Sequence, residues 1–302
     1  MVANNEKINF IGWLNVYKEE GITSSEVLRR LKRKFSIKKI GHHGTLDPLA
    51  SGVLPVALGE ATKTINYITN NYKKYSFKII WGKETDSCDA EGKVIKESVN
   101  RPSIKAIKAI IKKDFIGDLM QRPPAFSAIK INGKRAYELA RKNIKFEIQE
   151  KKIQISNFIL QENIKNYCSK FIVRCGSGTY IRSLARDLSH KLGTVGYAAD
   201  IVRIQSGRFS NKKAIKLERL LNCSLEDFSK LILPLDFPLD DCPKIKIKKK
   251  YLDMIKDGKM VYFNKYKGDI EDKFFLIKSN GKLVSIANFK KGYIIPRRNF
   301  VN

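Results

Sequence analysis

Cysteine and histidine are scarce in this chain of 302 residues, and neither is arranged as a metal site. The cysteines are scattered without a Cys-x-x-Cys pair and are Cys88, Cys168, Cys175, Cys223 and Cys242. An odd, dispersed set argues against a disulfide framework and against a thiolate zinc site. The three histidines lack the spacing of paired ligands on one helix. We therefore expect no bound metal.

Long apolar runs are also absent. No stretch approaches the roughly 20 apolar residues that cross a bilayer as a helix, and the mean hydropathy is −0.32. The first ten residues, MVANNEKINF, contain no apolar segment of the kind found in a secretory signal. These observations predict a cytoplasmic protein with no membrane partner. Hydrophobic residues still make up 43% of the chain, which is enough for one large and one small folded domain.

Acidic residues are few relative to basic ones. There are 30 Asp and Glu against 59 Lys and Arg, which gives a formal net charge of +29. Such an excess favours a polyanionic partner through charge attraction and counterion release. Nucleic acid fits better than an anionic membrane, because no long basic amphipathic helix or lipidation signal stands out. A third interpretation is that a sequence rich in Lys, Asn and Ile reflects biased base composition.

The periodicity of apolar residues predicts an alternating α/β region followed by a small β-rich one. A capping box at 23–26 and a capping Ser103 each open a helix with one apolar face. The same patterns predict further elements, which are strands at 75–81, 152–160 and 170–175 and a helix at 180–192. The proline-rich stretch 233–243 is typical of a linker between domains. Beyond it, residues 244–302 contain 16 Lys and Arg but only 5 Asp and Glu, in a pattern of short strands.

Asp47 lies in a turn-rich loop between Gly44 and Gly52 and is followed by Pro48. Glycine allows the backbone to come close to a ligand, and proline stiffens the turn. A carboxylate mounted in this way can act as a nucleophile, a general base or a metal ligand. On these residues alone the segment can equally be an ordinary Asp-Pro turn.

Four segments of the chain carry a resemblance to a known family. The first is GHHGTLDPLASGVLPVALGEATKT at 41–64, with its glycines, proline and aspartate in place. The second joins KKYSF at 73–77 to GKETDSCDAEG at 82–92, the third is QRPPAFSAIKINGKRAY at 121–137, and the fourth is CGSGTYIR at 175–182. In this order they resemble the motifs of the TruB family of tRNA pseudouridine synthases. The resemblance covers nearly the whole chain, with a looser similarity to a PUA domain at its C-terminal end.

This resemblance implies an enzyme that isomerises uridine 55 in the TΨC loop of tRNA to pseudouridine. It implies an α/β fold of the α+β type, with a mixed, largely antiparallel central sheet. The catalytic domain is expected at 1–237, with an RNA-gripping thumb at about 121–148, and a small PUA-like β-barrel at 243–302. The partner is the T arm of tRNA. No cofactor is expected, because the isomerisation involves neither redox chemistry nor net group transfer, and no obligate protein partner is expected either.

The resemblance also implies roles for particular residues. Asp47 matches the catalytic aspartate, which either attacks the sugar or removes its C2′ proton, and Arg182 matches the arginine that pairs with it. Without the motif, Arg182 would be an ordinary surface charge in the first turn of a helix. The target base must leave its stack, and His42 is expected to fill the vacancy. Tyr75 and Tyr180 are expected to contact the flipped uridine, and Tyr75 is a candidate to help move the C5 proton.

Further positions are expected to contribute less directly. Ile201 aligns with a family leucine in the wall of the base pocket, although this chain reads Ile-Val-Arg where the family often has Leu-Arg-Arg. His43 is expected to contact RNA, as are the thumb residues Lys130, Lys134, Arg135 and Tyr137, whose mixture of basic and aromatic groups suits phosphate contact and stacking. Asp86 and Asp89 are interpreted as loop caps rather than catalytic acids.

Two other functions remain open on the sequence alone. A non-catalytic RNA-binding protein or RNA chaperone would need the basic surface but not Asp47, Tyr75 and Arg182 together. A synthase that works inside a protein complex on guide-directed RNA would share the motifs. Activity of the single purified chain on tRNA distinguishes both from the stand-alone enzyme.

Overall fold

A computed structural model of the protein describes residues 9–165, 167–263 and 274–300. The first eight residues, which bear on the expected absence of a secretory signal, lie outside these ranges. So do residues 264–273 and 301–302 of the expected PUA-like segment. Among the helices of the described ranges, none combines the length and apolar character needed to span a bilayer.

Strands make up most of the described elements. In chain order they are β1 (Gly12–Lys18), β2 (Ile40–His42), β3 (Ser51–Leu58), β4 (Lys73–Trp81), β5 (Lys83–Thr85), β6 (Val94–Glu97), β7 (Gly117–Gln121), β8 (Lys130–Ile131), β9 (Lys134–Arg135), β10 (Lys151–Lys165), β11 (Cys168–Cys175), β12 (Gly196–Ser206), β13 (Phe209–Ser210), β14 (Ile215–Lys216), β15 (Lys244–Ile245), β16 (Val261–Tyr262), β17 (Phe274–Ser279), β18 (Lys282–Lys290) and β19 (Tyr293–Asn299). The α-helices are α1 (Ser24–Lys34), α2 (Ile104–Asp114), α3 (Ala136–Arg141), α4 (Ile181–Lys191), α5 (Leu217–Asn222), α6 (Leu225–Lys230) and α7 (Lys249–Lys256). Short 3-10 helices lie at Gly59–Tyr67, Asn211–Lys213 and Phe237–Leu239.

The main sheet is mixed and largely antiparallel, as predicted. Within the described residues its strand order is β14-β1-β3-β12-β4-β11-β10-β7, with β2 beside β3 and β13 beside β12. Among the strand pairs that the described residues form in this sheet, only β1–β14 and β3–β12 are parallel. Strand β4 alternates buried and half-buried residues along its whole length, which is the pattern of a strand with one face on a core. The central position of β12 brings it against the start of β3, directly after the loop that carries Asp47.

The predicted helices α1, α2 and α4 are confirmed and cover one face of this sheet. The side chains of Thr23 and Ser103 accept hydrogen bonds from the amides of the third helical residues, which is the expected N-cap geometry. Helix α4 ends before Gly193, whose φ of +69° turns the chain out of the helix. The apolar faces of the three helices enter the core cluster formed with β3, β4 and β11. The helices therefore bury the face of the sheet from which the site is built.

The C-terminal residues form a second, five-stranded sheet in the order β15-β17-β18-β19-β16, which curls into a half-barrel. Its own core contains Phe275, Ile277 and Ile294 and is closed by Leu252 and Ile255 of α7. A second apolar cluster joins its other side to the main sheet. Both sheets therefore share buried surface.

The proline-rich stretch 233–243 connects the two sheets but is packed rather than loose. The Leu233 amide donates to the Trp13 carbonyl oxygen at 2.7 Å, and the Trp13 amide donates to the Leu233 carbonyl oxygen at 2.9 Å. The Trp13 indole donates to the Leu235 carbonyl oxygen at 3.1 Å. Leu239 and Cys242 are buried. After its bridge to β1 the stretch runs through turns and the 3-10 helix Phe237–Leu239, a packed path that the sequence pattern alone did not distinguish from an exposed linker.

Candidate active site

The loop between β2 and β3 carries Asp47, and its first anchor is the start of α1. The Ser24 hydroxyl donates to the Leu46 carbonyl oxygen at 3.0 Å and accepts from the Leu46 amide at 2.9 Å. Both residues are buried. The reciprocal bonds satisfy two main-chain groups that would be costly to leave unpaired in the interior. Leu46, which precedes Asp47, is therefore tied to the N-terminus of α1.

The second anchor holds the chain just after Asp47. The Gly21 amide donates to the Pro48 carbonyl oxygen at 2.9 Å. The fully buried Lys18 donates to the same oxygen at 3.1 Å and to two carbonyl oxygens of the turn 19–22 at 2.7 and 2.9 Å. Burial lowers the pKa of Lys18 to about 8, so its ammonium is still largely charged at neutral pH. A buried cation therefore ties the loop to the end of β1.

The third anchor is Arg203 in β12, whose side chain is fully buried. Its Nε donates to the Val53 carbonyl oxygen at 2.7 Å, Nη2 donates to that of Gly44 at 2.8 Å, and Nη1 donates to that of Thr45 at 3.3 Å. One planar guanidinium thus bridges β3 and the loop. Gly44 has a φ of +80°, and a Cβ there would lie 2.9 Å from Cε of Lys73. The positive φ favours glycine at this position, whereas the end of the flexible Lys73 side chain could shift to admit a Cβ.

The Asp47 carboxylate faces the guanidinium of Arg182. Its Oδ2 lies 2.9 Å from Nε, in an ion pair that lacks the alignment of a hydrogen bond. The Asp47 side chain is 38% exposed, whereas that of Arg182 is 5% exposed. The carboxylate is therefore open to a ligand while its countercharge lies beneath it. Opposite charges attract strongly where water is partly excluded.

Arg182 is held from several sides. Its Nη1 pairs with Asp89 at 3.2 Å and donates to the Ser87 carbonyl oxygen at 3.1 Å, and Nη2 donates to the Phe126 carbonyl oxygen at 2.9 Å. The interpretation of Arg182 as an exposed charge in the first turn of a helix is therefore wrong. The loops at 82–92 and 121–137 approach the start of α4, and their carbonyl oxygens orient the arginine toward Asp47.

The two aspartates of the acidic loop differ in their contacts. Asp86 accepts a hydrogen bond from the Lys93 amide at 2.9 Å, and Asp89 accepts one from the Glu91 amide at 3.0 Å. Both are loop caps, as predicted from the sequence. Asp89 is also buried and paired with Arg182. The loop-cap interpretation was therefore incomplete for Asp89.

Tyr75 lies in β4 opposite Arg203 of β12 in the strand register, so both project to the same face of the sheet. Only 7% of Tyr75 is exposed. Burial raises the pKa of its hydroxyl, and a contact with the Arg203 guanidinium acts in the opposite direction. The phenol stays protonated at neutral pH. The charge of Asp47 also raises the pKa of this hydroxyl.

Tyr180 is the N-cap residue of α4, two positions before Arg182. The side chain of Gln121 clamps its main chain, accepting from the Tyr180 amide at 2.9 Å and donating to its carbonyl oxygen at 3.1 Å. Burial and the nearby charge of Asp47 raise the pKa of the Tyr180 hydroxyl. The fourth motif, at 175–182, therefore supplies both Tyr180 and Arg182 to the surroundings of the Asp47 carboxylate.

His42 and His43 stand where β2 enters the Asp47 loop. Burial and the charge of Arg203 lower the pKa of His42, and its Nδ1 is buried without a hydrogen-bond partner. Burial, Lys73 and Arg203 lower the pKa of His43 to about 4. Both rings are therefore neutral at neutral pH. An uncharged, half-buried imidazole at the rim of the site is suited to stacking on a base.

The remaining predicted residues lie in two different environments. Ile201 is buried, with 4% exposure, in the core cluster that also contains Tyr75. The thumb segment contains the β8–β9 hairpin and helix α3. Its predicted RNA contacts are exposed, except for a half-buried Tyr137, and are Lys130, Lys134, Arg135 and Tyr137. Contact of these residues with RNA stays a prediction.

Several residues that build the site were not identified from the sequence. They are Lys18, Ser24, Lys73, Gln121 and Arg203. For Lys18, Lys73 and Arg203 the available signal was a charged residue at an inward position of a strand, since such residues are rarely buried without partners. Ser24 and Gln121 offered no such signal. Within the described ranges, no three His, Cys, Asp or Glu side chains are grouped to hold a metal ion.

Comparisons with known proteins identify the family of this chain. The model of the TruB family pseudouridylate synthase N-terminal domain matches residues 32–181. Proteins named tRNA pseudouridine synthase B from Caulobacter vibrioides and Rhodospirillum rubrum are 37% and 39% identical to this chain. The first alignment covers 96% of both chains and the second covers 95% of both.

Solved structures share the fold. A structure of an H/ACA RNP bound to a substrate RNA containing 2′-deoxyuridine superposes with a TM-score of 0.75 at 22% identity, covering 97% of this chain and 86% of that chain. A Cbf5-Nop10-Gar1 complex gives 0.74 at 24% identity, covering 96% and 85%. The sequence identity to the bacterial proteins, over nearly the whole length, shows that this chain belongs to the TruB family of pseudouridylate synthases.

Proposed function

We propose that this protein isomerises uridine 55 in the TΨC loop of tRNA to pseudouridine, with Asp47 as the reacting carboxylate. The observation that carries the proposal is a half-exposed carboxylate on a loop with three separate anchors, paired with a buried arginine at 2.9 Å. The named activity of relatives that align over nearly the whole chain supports the choice of tRNA as substrate.

The reaction requires one bond to break and one to form. The bond from ribose C1′ to uracil N1 breaks, the ring turns, and C1′ joins C5, whose proton then leaves while N1 gains one. Asp47 either attacks C1′ or removes the C2′ proton, and both routes need a charged carboxylate. Arg182 stabilises that charge from beneath, and the three anchors keep the carboxylate in place without reorganisation during the reaction.

The uridine must first leave the stacked loop of the RNA, at a cost of a few kcal/mol. We assign His42 to the vacated position, because a neutral imidazole stacks without carrying a charge into the RNA. Tyr75 and Tyr180, whose hydroxyls both feel the charge of Asp47, are assigned to the flipped uracil, with Ile201 in the apolar wall behind it. His43 and the exposed basic residues of the thumb are assigned to the RNA backbone.

The two sheets are assigned different roles. We assign residues 1–237 to catalysis, with the thumb at about 121–148, and residues 243–302 to a PUA-like RNA-binding domain. The single chain is expected to act without a guide RNA or an obligate protein partner, and it is expected to work in the cytoplasm, where its substrate resides.

The test uses purified protein and an unmodified tRNA transcript with C5-tritiated uridine. Wild-type protein should release tritium without guide RNA or other proteins, and Asp47→Asn should release none while still binding the transcript. Asp118→Asn is the matched control, because Asp118 is an exposed aspartate that pairs with Lys152 at the surface. Normal tritium release by Asp47→Asn would refute the catalytic assignment. Normal binding without any tritium release by the wild-type protein would instead favour a non-catalytic RNA-binding role.

A further inference from the structure

Lys73 is a buried cation at the start of β4, on the face of the sheet that also carries Tyr75. It is 8% exposed, and residues two apart in a strand project to the same face. Its Nζ donates to the Ser177 hydroxyl at 2.9 Å. Among the described residues this hydroxyl is the one hydrogen-bond partner of the ammonium, and no carboxylate forms an ion pair with it. A buried charge without a countercharge is costly, so an anionic ligand would be stabilised here.

Lys18 provides a comparison within the same site. Both lysines are buried, and burial lowers the pKa of each to about 8. Lys18 donates to three carbonyl oxygens and so uses all the protons of its ammonium. Lys73 uses one proton for Ser177, and the others remain to bind a ligand. Lys18 is therefore a structural cation, whereas the bonding of Lys73 is incomplete.

The charged group that acts most strongly on Lys73 is itself a cation. Arg203 adds to the effect of burial in lowering the pKa of Lys73. Asp47 does not compensate the lysine, since its carboxylate pairs with Arg182. The ammonium is still largely protonated at neutral pH. Lys73 and Arg203 therefore give this part of the site a positive charge that no carboxylate of the described residues neutralises.

The ammonium lies between two segments of the active site. On the side of the catalytic loop, Nζ is 3.3 Å from the position that a Cβ on Gly44 would take, three residues before Asp47. On the other side, Ser177 belongs to the turn between β11 and α4 and is exposed. The same turn leads to Tyr180 at the start of α4. The lysine is therefore next to both segments that enclose the target nucleotide in the proposed function.

We propose that Lys73 binds a phosphate group of the RNA backbone directly beside the target uridine. This inference rests on the proposed function, because that function puts the uridine at Asp47. A phosphate supplies the missing countercharge and accepts charge-assisted hydrogen bonds from the free protons of the ammonium. Because the lysine lies against the catalytic loop, the phosphates that flank the bound uridine are the ones within its reach. Lys73 is thus a binding residue that seats the flipped nucleotide.

The first test removes the charge of the phosphate rather than that of the protein. Synthetic T-arm hairpins carry 2′-deoxy sugars at nucleotides 54 and 55, which prevents cleavage of the modified backbone. A methylphosphonate then replaces one or the other of the linkages that flank uridine 55. Wild type should bind one of the two neutral hairpins on the order of tenfold more weakly than the charged hairpin. Equal binding of all three would overturn the proposal, and this comparison needs no protein variant.

Lys73→Gln is the matching change in the protein, and Lys74→Gln is its control. Lys74 is the next residue of β4 and projects to the opposite face of the sheet. Lys73→Gln should bind the charged hairpin on the order of tenfold more weakly than wild type, and neutralising the sensitive linkage should weaken it no further. Lys74→Gln should behave as wild type toward all three hairpins. A full additional loss in Lys73→Gln would show that another group holds the phosphate and would overturn the proposal.

A purely structural role for Lys73 predicts a different kinetic result. If the lysine only supported the Asp47 loop, its replacement would disturb the carboxylate and lower the single-turnover rate at saturating RNA. As a phosphate-binding residue, its loss should raise the RNA concentration needed for half-maximal rate and leave the saturated rate close to that of wild type. A large fall in the saturated rate with unchanged affinity would overturn the proposal.

Pseudouridine formation by wild-type protein in an all-ribose T-arm hairpin is measured in parallel. Its absence would contradict the proposed function, whereas the comparison of charged and neutral linkages concerns only Lys73. The two failures are therefore distinguishable.

Discussion

At the scale of single residues, the two buried arginines of the site, Arg182 and Arg203, have different roles. Arg203 bonds to carbonyl oxygens of β3 and the Asp47 loop, so it determines where the backbone lies. Arg182 contacts the carboxylates of Asp47 and Asp89, so it determines the charge environment of the reacting group. Each guanidinium has several partners at fixed angles, a pattern that the single ammonium of lysine cannot reproduce.

Arg182→Lys should lower kcat by about 100-fold, because one ammonium cannot contact Asp47, Asp89 and two carbonyl oxygens together. Affinity for tRNA should change little, since Arg182 is buried. Single-turnover tritium release measures the rate. Arg29→Lys, at an exposed helix position, is the control. A variant rate equal to that of the control would show that the geometry of Arg182 does not matter for the reaction.

The lowered pKa of His43 leads to a prediction about the stability of the protein at acid pH. The pKa of His43 is lowered from 6.5 to about 4. Between these values the unfolded chain takes up a proton that the folded chain does not, so the free energy of unfolding falls as the pH falls. Wild type should therefore lose stability more steeply from pH 6.5 to pH 4 than His43→Gln, which cannot titrate. Urea unfolding at constant ionic strength measures both slopes, and equal slopes would contradict the lowered pKa.

The residues that could be predicted from the sequence stand inside recognisable motifs, as Asp47, Tyr75 and Arg182 do. Their convergence on one site follows from the order of the strands. Arg203 could not be predicted in its role, because a charge in a strand is normally exposed. It is buried only because it meets carbonyl oxygens of the loop and of β3, more than a hundred positions earlier in the chain.

At the scale of elements, the start of β3 fixes the end of the Asp47 loop. There Gly52 pairs in parallel with Arg203 of β12, and its φ is +107°. A Cβ on Gly52 would lie 2.3 Å from the Arg203 carbonyl oxygen. The strand can lie this close to β12 only because position 52 has no side chain.

Gly52→Ala should therefore lower the free energy of unfolding by more than the roughly 1 kcal/mol expected from a positive φ alone. Gly193→Ala is the matched control, because Gly193 also has a positive φ of +69° but open space around its Cβ position. Urea denaturation gives both values. Equal losses of unfolding free energy in the two variants would mean that β3 and β12 can move apart at little cost to admit the Cβ.

The observed bounds of the strands and helices can be compared with the bounds that the apolar patterns predicted. Strands at 75–81 and 170–175 and the helix at 180–192 were placed within two residues of their observed bounds. The strand predicted at 152–160 continues to Lys165, because β10 keeps its pairing with β11 through residues that are mostly polar and exposed. Alternating apolar residues indicate which part of a strand is buried. They do not indicate backbone pairing that continues beyond the core.

At the scale of the whole molecule, the two sheets are joined by an apolar cluster. Trp13 and Val53 of the main sheet share it with Leu276 and Ile286 of the second sheet. The rings of Tyr67 and Phe274 add an edge contact with centroids 4.8 Å apart. Burial of this shared surface should make the sheets unfold together.

Leu276→Ala tests this coupling, because both tryptophans of the chain, Trp13 and Trp81, lie in the main sheet. Truncation of a buried leucine costs about 2–5 kcal/mol, and the midpoint of thermal unfolding followed by tryptophan fluorescence should fall accordingly. Leu225→Ala, at a position 49% exposed, is the control. An unchanged fluorescence midpoint in Leu276→Ala would mean that the sheets unfold independently.

The central claim is that this chain makes pseudouridine at position 55 of tRNA by means of Asp47. The most direct test maps pseudouridine in total tRNA from cells that contain the wild-type gene, lack it, or carry Asp47→Asn. We predict pseudouridine at position 55 in the first case and unmodified uridine there in the other two. Pseudouridine at position 55 that persists without the gene, when no other synthase of the family is present, would contradict the account.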